Sequence, residues 1–126
     1  FDSPLGFRHG PKTIVNDRTL IVVFFSNDAY TRSYDIDLLE ELRGDNVAAR
    51  VIAITGQDGV GLPEQDEISV PGLAAADDVD LLFPYIVAPQ ILAFFESLRL
   101  GLRPDKPNTS GTVNRVVQGV RIHELS

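Results

Sequence analysis

The chain has 126 residues, which fits one domain, and its hydrophobic (44%) and charged (23%) fractions are ordinary for a globular protein. The net charge of −7 argues against a nucleic-acid partner, which would need clustered Lys and Arg. The absence of Cys excludes disulfides and thiolate chemistry and fits a cytoplasmic protein. No apolar run approaches about 20 residues, so we expect no membrane partner.

The first predicted elements are a loop, a strand and a helix. Residues 1–12 are rich in Gly and Pro and predict a loop. Residues 19–25 (TLIVVFF) form a continuous apolar run, which is typical of a parallel strand buried on both faces. The spacing of apolar residues then predicts a helix over residues 31–43, with Gly44 as its stop.

Two more strands and a long helix follow. Strands are predicted over residues 50–55 and 67–70, and a helix from Asp77 or Asp78 to Leu100. The apolar surface of this helix predicts burial, and its two prolines are expected to kink or divide it. The order of elements predicts an α/β fold with a parallel sheet covered by helices. Because only three strands are evident and the chain lacks Met, we expect it to be part of a longer protein.

Polar residues follow the first predicted strand, where an open parallel sheet binds ligands. Ser26 ends that strand and Arg32 lies shortly after it, so we predict an anion site that uses both side chains. Ordinary capping of the next helix explains the same polar residues, and this alternative stays open.

His9 is the candidate for acid–base chemistry. It lies in a basic segment, residues 8–12 (RHGPK), and an imidazole can donate or accept a proton near neutral pH. The alternative is that His9 is a surface histidine with no functional role, and we expect His123 to be such a residue. No spacing typical of a metal site or a catalytic triad is present, so we expect neither a metal nor a cofactor.

Three segments resemble motifs of the tagatose-6-phosphate ketose/aldose isomerase family, in the sugar isomerase (SIS) superfamily. They are residues 3–12 (SPLGFRHGPK), 22–32 (VVFFSNDAYTR) and 110–120 (SGTVNRVVQGV). The resemblance implies a partial flavodoxin-like SIS domain, a three-layer α-β-α arrangement, over residues 1–101 and a C-terminal tail over residues 102–126. The first SIS domain, with its phosphate-binding loop, would belong to the rest of the parent chain.

The resemblance also implies a reaction: proton transfer between C1 and C2 of a sugar phosphate of the galactosamine 6-phosphate or tagatose 6-phosphate type. His9 matches the residue credited with ring opening in the similar glucosamine-6-phosphate synthase. There it reaches the site of a neighbouring subunit, so a homo-oligomer is implied. The carboxylate base would lie before Phe1, so the chain alone is expected to be inactive. An active-site lysine of the synthase aligns near Gln118, so a lysine-assisted step is not expected.

The tail carries the remaining predicted substrate contacts, Asn114, Arg115 and Gln118. These polar residues interrupt an apolar segment and would need partners if buried. The tail is also basic in an acidic protein, and the resemblance to the synthase implies a place at the active site, so we expect residues 102–126 to close over the substrate. An added strand or a subunit contact is the alternative. A second function also stays open, namely a non-catalytic SIS module that senses a sugar phosphate in a transcriptional regulator.

Overall fold

The computed structural model describes residues 2–57, 59–105, 108, 110 and 119–124. The chain divides into two compact units, Phe1–Tyr85 and Ile86–Ser126. The first unit holds the sheet and the residues that surround it. The predicted boundary between the SIS portion and the tail, at residue 101, stays a prediction.

A parallel three-stranded sheet forms the centre of the first unit. Its strands β1 (Leu20–Phe24), β2 (Arg50–Thr55) and β3 (Glu67–Ser69) lie side by side in that order, and each neighbouring pair is parallel. Their apolar and β-branched side chains favour extended backbone and suit a sheet covered on both faces. The predicted α/β class and parallel sheet are therefore confirmed.

The helix α2 (Ala29–Asp45) covers one face of the sheet. It buries three leucines in a core with side chains from β1, β2 and the loops that follow them: Val23, Phe25, Leu38, Leu39, Leu42, Ala53 and Val60. The predicted stop at Gly44 is wrong, because α2 continues to Asp45 and Asn46 adopts the left-handed conformation (φ 50°). Asn tolerates this conformation and can end a helix in place of Gly.

The helix α3 (Asp78–Arg99) begins on the opposite face of the sheet. The ring of Tyr85 lies 5.8 Å from that of Phe24, and its hydroxyl donates to the Phe25 carbonyl at 2.8 Å. Successive side chains of a strand point to opposite faces, so Phe24 faces α3 whereas Val23 faces α2. Helices therefore lie on both faces of the sheet, and the predicted three-layer arrangement is confirmed.

Two predictions about α3 are wrong. The helix is not divided at Pro84 or Pro89, because it continues through both from Asp78 to Arg99; a kink at either proline stays a prediction. Nor is the helix buried throughout: Leu81 and Tyr85 are buried, but most of its large apolar side chains are exposed. Contrary to the expectation from the sequence, α3 is also long and apolar enough to cross a membrane, a property that core helices of soluble proteins share.

The predicted loop over residues 1–12 is also wrong. Ser3 caps a short helix, α1 (Pro4–His9), because its hydroxyl accepts a hydrogen bond from the Gly6 amide at 3.1 Å. Pro4 occupies the first helical position, where its missing N–H costs nothing. Gly10 separates α1 from one 3-10 turn, Pro11–Ile14.

Candidate functional site

A dense polar cluster lies at the carboxyl ends of β1 and β2. The backbone N–H of Ser26 donates to Asp35 Oδ2 at 2.9 Å, and Ser26 Oγ donates to Asp78 Oδ2 at 2.6 Å. The other oxygen of Asp78 accepts from the Asn27 N–H at 2.9 Å. Carboxylates from α2 and from the start of α3 therefore bind the residues that end β1. We call this group the carboxyl-edge cluster: Ser26, Asn27, Arg32, Asp35, Thr55 and Asp78.

Arg32 joins the ends of the two strands. Its Nη1 donates to the Ser26 carbonyl at 3.1 Å and to Thr55 Oγ1 at 3.2 Å, and Nη2 donates to the Gln57 carbonyl at 3.4 Å. The guanidinium carbon lies 5.2 Å from the centre of the Phe25 ring, within cation–π range. The structure thus brings Ser26 and Arg32 together, and protein groups already occupy several of their hydrogen-bonding atoms.

Two carboxyl groups at this edge of the sheet have shifted pKa values, in opposite directions. Burial raises the pKa of Asp35, against the opposing effects of the Ser26 N–H bond and the nearby Arg32 charge. At the N-terminus of α2, hydrogen bonds from Thr31 lower the pKa of the capping residue Asp28. Helix N-termini attract anions, and here protein carboxylates accept several of the hydrogen bonds at this edge. Capping of α2 therefore accounts for Asp28. It does not account for Ser26 and Arg32, which also bind residues of other elements, Asp78 and Thr55.

Asn27 and Gly56 hold the loop before α3 against the sheet, a role that sequence reasoning missed. Asn27 Nδ2 donates to the Leu73 carbonyl at 2.7 Å and to the Ala76 carbonyl at 2.9 Å. A Cβ at Gly56 would lie 3.1 Å from the Leu73 carbonyl and 3.2 Å from both amide atoms of Asn27. The available signal was a glycine directly after a strand, which often marks a close backbone approach.

His9 is the exposed last residue of α1, and the cations that flank it bind α2. Arg8 Nε lies 2.6 Å from Glu41 Oε2, while Lys12 contacts Glu41 and lies 2.5 Å from Asp45 Oδ2. Hydrogen bonds to Asp45 and Glu41 raise the pKa of Lys12, and hydrogen bonds from Lys12 and Arg8 lower the pKa of Glu41. The segment is therefore attached to α2 while His9 itself faces solvent.

The chain does not bring His9 together with the carboxyl-edge cluster. On α2, Glu41 lies about 14 Å further along the helix than Arg32 and about 9 Å further than Asp35, at 1.5 Å per residue. His123 is exposed, as expected. The other three predicted substrate-binding residues, Asn114, Arg115 and Gln118, lie outside the described residues. Within the part of the chain that the structure describes, no three His, Asp or Glu side chains could hold a metal ion.

No protein-family model matches the chain, but several curated relatives do. It is 47% identical over 125 residues to the putative D-galactosamine-6-phosphate deaminase AgaS of Streptomyces coelicolor. Over 123 residues it is 51% identical to the putative D-galactosamine-6-phosphate deaminase AgaS of Escherichia coli K12, and 42% identical to the D-galactosamine-6-phosphate deaminase AgaS of Shewanella sp. ANA-3. These matches cover 98–99% of this chain and 29–32% of each relative.

A solved structure gives the same result. The crystal structure of tagatose-6-phosphate ketose/aldose isomerase from Escherichia coli matches with a TM-score of 0.76 and 42% identity, over 99% of this chain and 31% of that one. The resemblance inferred from the three sequence motifs is therefore confirmed. The chain spans about a third of the length of the relatives it matches.

Proposed function

We propose that this chain, a part of a SIS-type protein, belongs to a sugar-phosphate aldose/ketose isomerase or amino-sugar-phosphate deaminase. The observation that carries the proposal is identity of 42–51% over nearly the whole chain to relatives named as D-galactosamine-6-phosphate deaminases. The substrate is of the galactosamine 6-phosphate or tagatose 6-phosphate type. Because the relatives described above carry the names of enzymes, the regulatory alternative is not favoured.

The proposed reaction opens the sugar ring and then moves a proton between C1 and C2. His9 takes the proton of the C1 hydroxyl and returns a proton to the ring oxygen as the ring opens. In the deaminating case, the proton transfer turns the C2 amine into an imine, and water releases ammonia and leaves a ketose phosphate. A carboxylate from the rest of the parent chain moves the proton between the two carbons, and the steps need no metal or cofactor.

The position of His9 supports a site shared between subunits. Its segment is attached to Glu41 and Asp45 near the C-terminal end of α2, which lie about 14 Å and 20 Å along the helix from Arg32. We therefore assign His9 to the active site of a neighbouring copy in a cytoplasmic homo-oligomer. The remaining proposed sugar-phosphate contacts are Ser26, Arg32, Asn114, Arg115 and Gln118, together with the first SIS domain of the parent chain.

Replacing His9 in the full-length parent tests this role. We expect His9→Ala to lower turnover of the cyclic substrate by about 10²–10⁴-fold, the usual contribution of a general acid–base group. The thermal midpoint should change little, because the side chain is exposed. Turnover of an analogue that cannot cyclise should stay close to that of the wild type, since this analogue needs no ring opening.

His123→Ala is the matched control, because it removes the other, exposed histidine and should leave turnover unchanged. Equal loss on the cyclic substrate and the open-chain analogue would exclude ring opening as the role of His9. Full activity of His9→Ala on the cyclic substrate and on the open-chain analogue would show that His9 has no catalytic role.

A further inference from the structure

One carboxylate on α2 binds the cations on both sides of His9. Arg8 Nε lies 2.6 Å from Glu41 Oε2, and Lys12 Nζ contacts Glu41 Oε1. The side chains of Arg8, Lys12 and Glu41 are only 24–34% exposed, so the pairs are partly shielded from water. The Glu41 carboxylate thus holds both ends of the segment 8–12, through Arg8 at one end and Lys12 at the other.

Both sides of this contact are anchored in the core. Glu41 lies on α2 between the buried Leu38 and Leu42, which are 6% and 3% exposed. Phe7, two residues before His9, is partly buried and packs against the same core. The backbone around His9 is therefore attached through Phe7, Arg8 and Lys12, whereas the imidazole is free to meet a ligand.

We propose that Glu41 is a positioning residue for His9, an inference that rests on the proposed function. A ring-opening histidine must come within hydrogen-bond reach of the C1 hydroxyl and the ring oxygen together. Misplacement by about 1 Å can cost a factor of about 10² in rate. Ion pairs that water still reaches contribute little to folding stability, and these side chains are 24–34% exposed, so we expect the contact to act mainly on the geometry of the segment. Glu41 alone among the described acidic residues pairs with both Arg8 and Lys12, since Asp45 pairs with Lys12 only.

Glu41→Gln in the full-length parent removes the charge and keeps the size of the side chain. We expect kcat for the cyclic substrate to fall by about 10–100-fold, with a small change in KM, because the segment loses its fixed position. Turnover of the analogue that cannot cyclise should stay near the wild-type value. Arg8→Gln removes the cation that pairs with Glu41 and should give the same fall in kcat for the cyclic substrate, with the analogue again turned over normally. Glu40→Gln, at the neighbouring exposed position of α2, is the control and should behave as the wild type.

A double variant separates positioning from a structural role. If Glu41 acts through His9, adding Glu41→Gln to His9→Ala should cause no further loss of turnover. Further loss in that background, or equal loss on the open-chain analogue, would overturn the inference. Wild-type turnover of Glu41→Gln beside an impaired His9→Ala would overturn the inference and leave the proposed function standing. Full activity of His9→Ala would instead overturn the proposed role of His9 and the inference with it.

Discussion

The buried carboxyl of Asp35 shows how one residue at the strand ends affects stability. The residue is 4% exposed, and burial raises its pKa although the Ser26 N–H and Arg32 favour the charged form. A raised pKa in the folded state means that folding favours the protonated acid. The stabilisation from Asp35 is therefore complete below the ordinary pKa of the acid and is lost as pH rises through the raised folded-state pKa.

Asp35→Asn should consequently raise the thermal midpoint of the full-length parent at pH 7. The amide keeps an acceptor for the Ser26 N–H but carries no charge to desolvate. The advantage over wild type should shrink as the pH falls to about 3, where the aspartic acid is protonated. Thermal unfolding of both proteins across this pH range measures the effect, with Asp37→Asn on the exposed side of α2 as the control. A lower midpoint at every pH would contradict the account.

Gly56 lies so close to a backbone carbonyl and to the Asn27 amide that a side chain there would have little room. Gly56→Ala should lower the free energy of unfolding by about 1–3 kcal/mol, because the methyl group would press on the Leu73 carbonyl and the Asn27 amide. Denaturant unfolding measures the change. Gly44→Ala is the matched control: nothing lies within 4 Å of its Cβ, and in a helix it should stabilise the protein by about 0.5–1 kcal/mol. Similar stabilisation by both variants would show that Gly56 is not tightly packed.

At the scale of the elements, strands were easier to predict than helix ends. The apolar runs located β1 and β2 to within a residue because extended, doubly buried segments need continuous apolar side chains. The Pro and Gly content of residues 1–12 predicts a loop in place of α1, although Ser3 and Pro4 are favourable at a helix start. Apolar composition located α3 but could not say which of its side chains another element covers.

The candidate site was predictable only in part, because local sequence patterns do not show which distant residues pack together. Ser26 and Arg32 follow a strand, and this local signal is enough to single them out. Their partners Asp78 and Thr55 come from other elements, 52 and 23 residues away in sequence. The contact between Arg8 and Glu41 spans 33 residues. Pairings of this kind depend on how the helices pack against the sheet, and no local pattern encodes them.

At the scale of the whole molecule, the chain holds only part of the proposed active site. It spans about a third of the length of its relatives. Glu41, which binds the His9 segment, lies about 14 Å along α2 from Arg32 of the carboxyl-edge cluster. The base and the phosphate-binding loop of the proposed mechanism belong to the rest of the parent chain. Under the proposed function, we therefore expect catalysis to require the parent chain and, for His9, a neighbouring copy.

Ammonia release from D-galactosamine 6-phosphate, compared between the full-length parent and the 126-residue chain, tests this account most directly. The parent should release ammonia and form a ketose phosphate. The 126-residue chain should give no turnover, because a missing general base alone costs about 10²–10⁴-fold before lost substrate positioning is counted. A parent that neither deaminates nor isomerises this class of sugar phosphate would contradict the proposed function, and turnover by the 126-residue chain would contradict the shared active site.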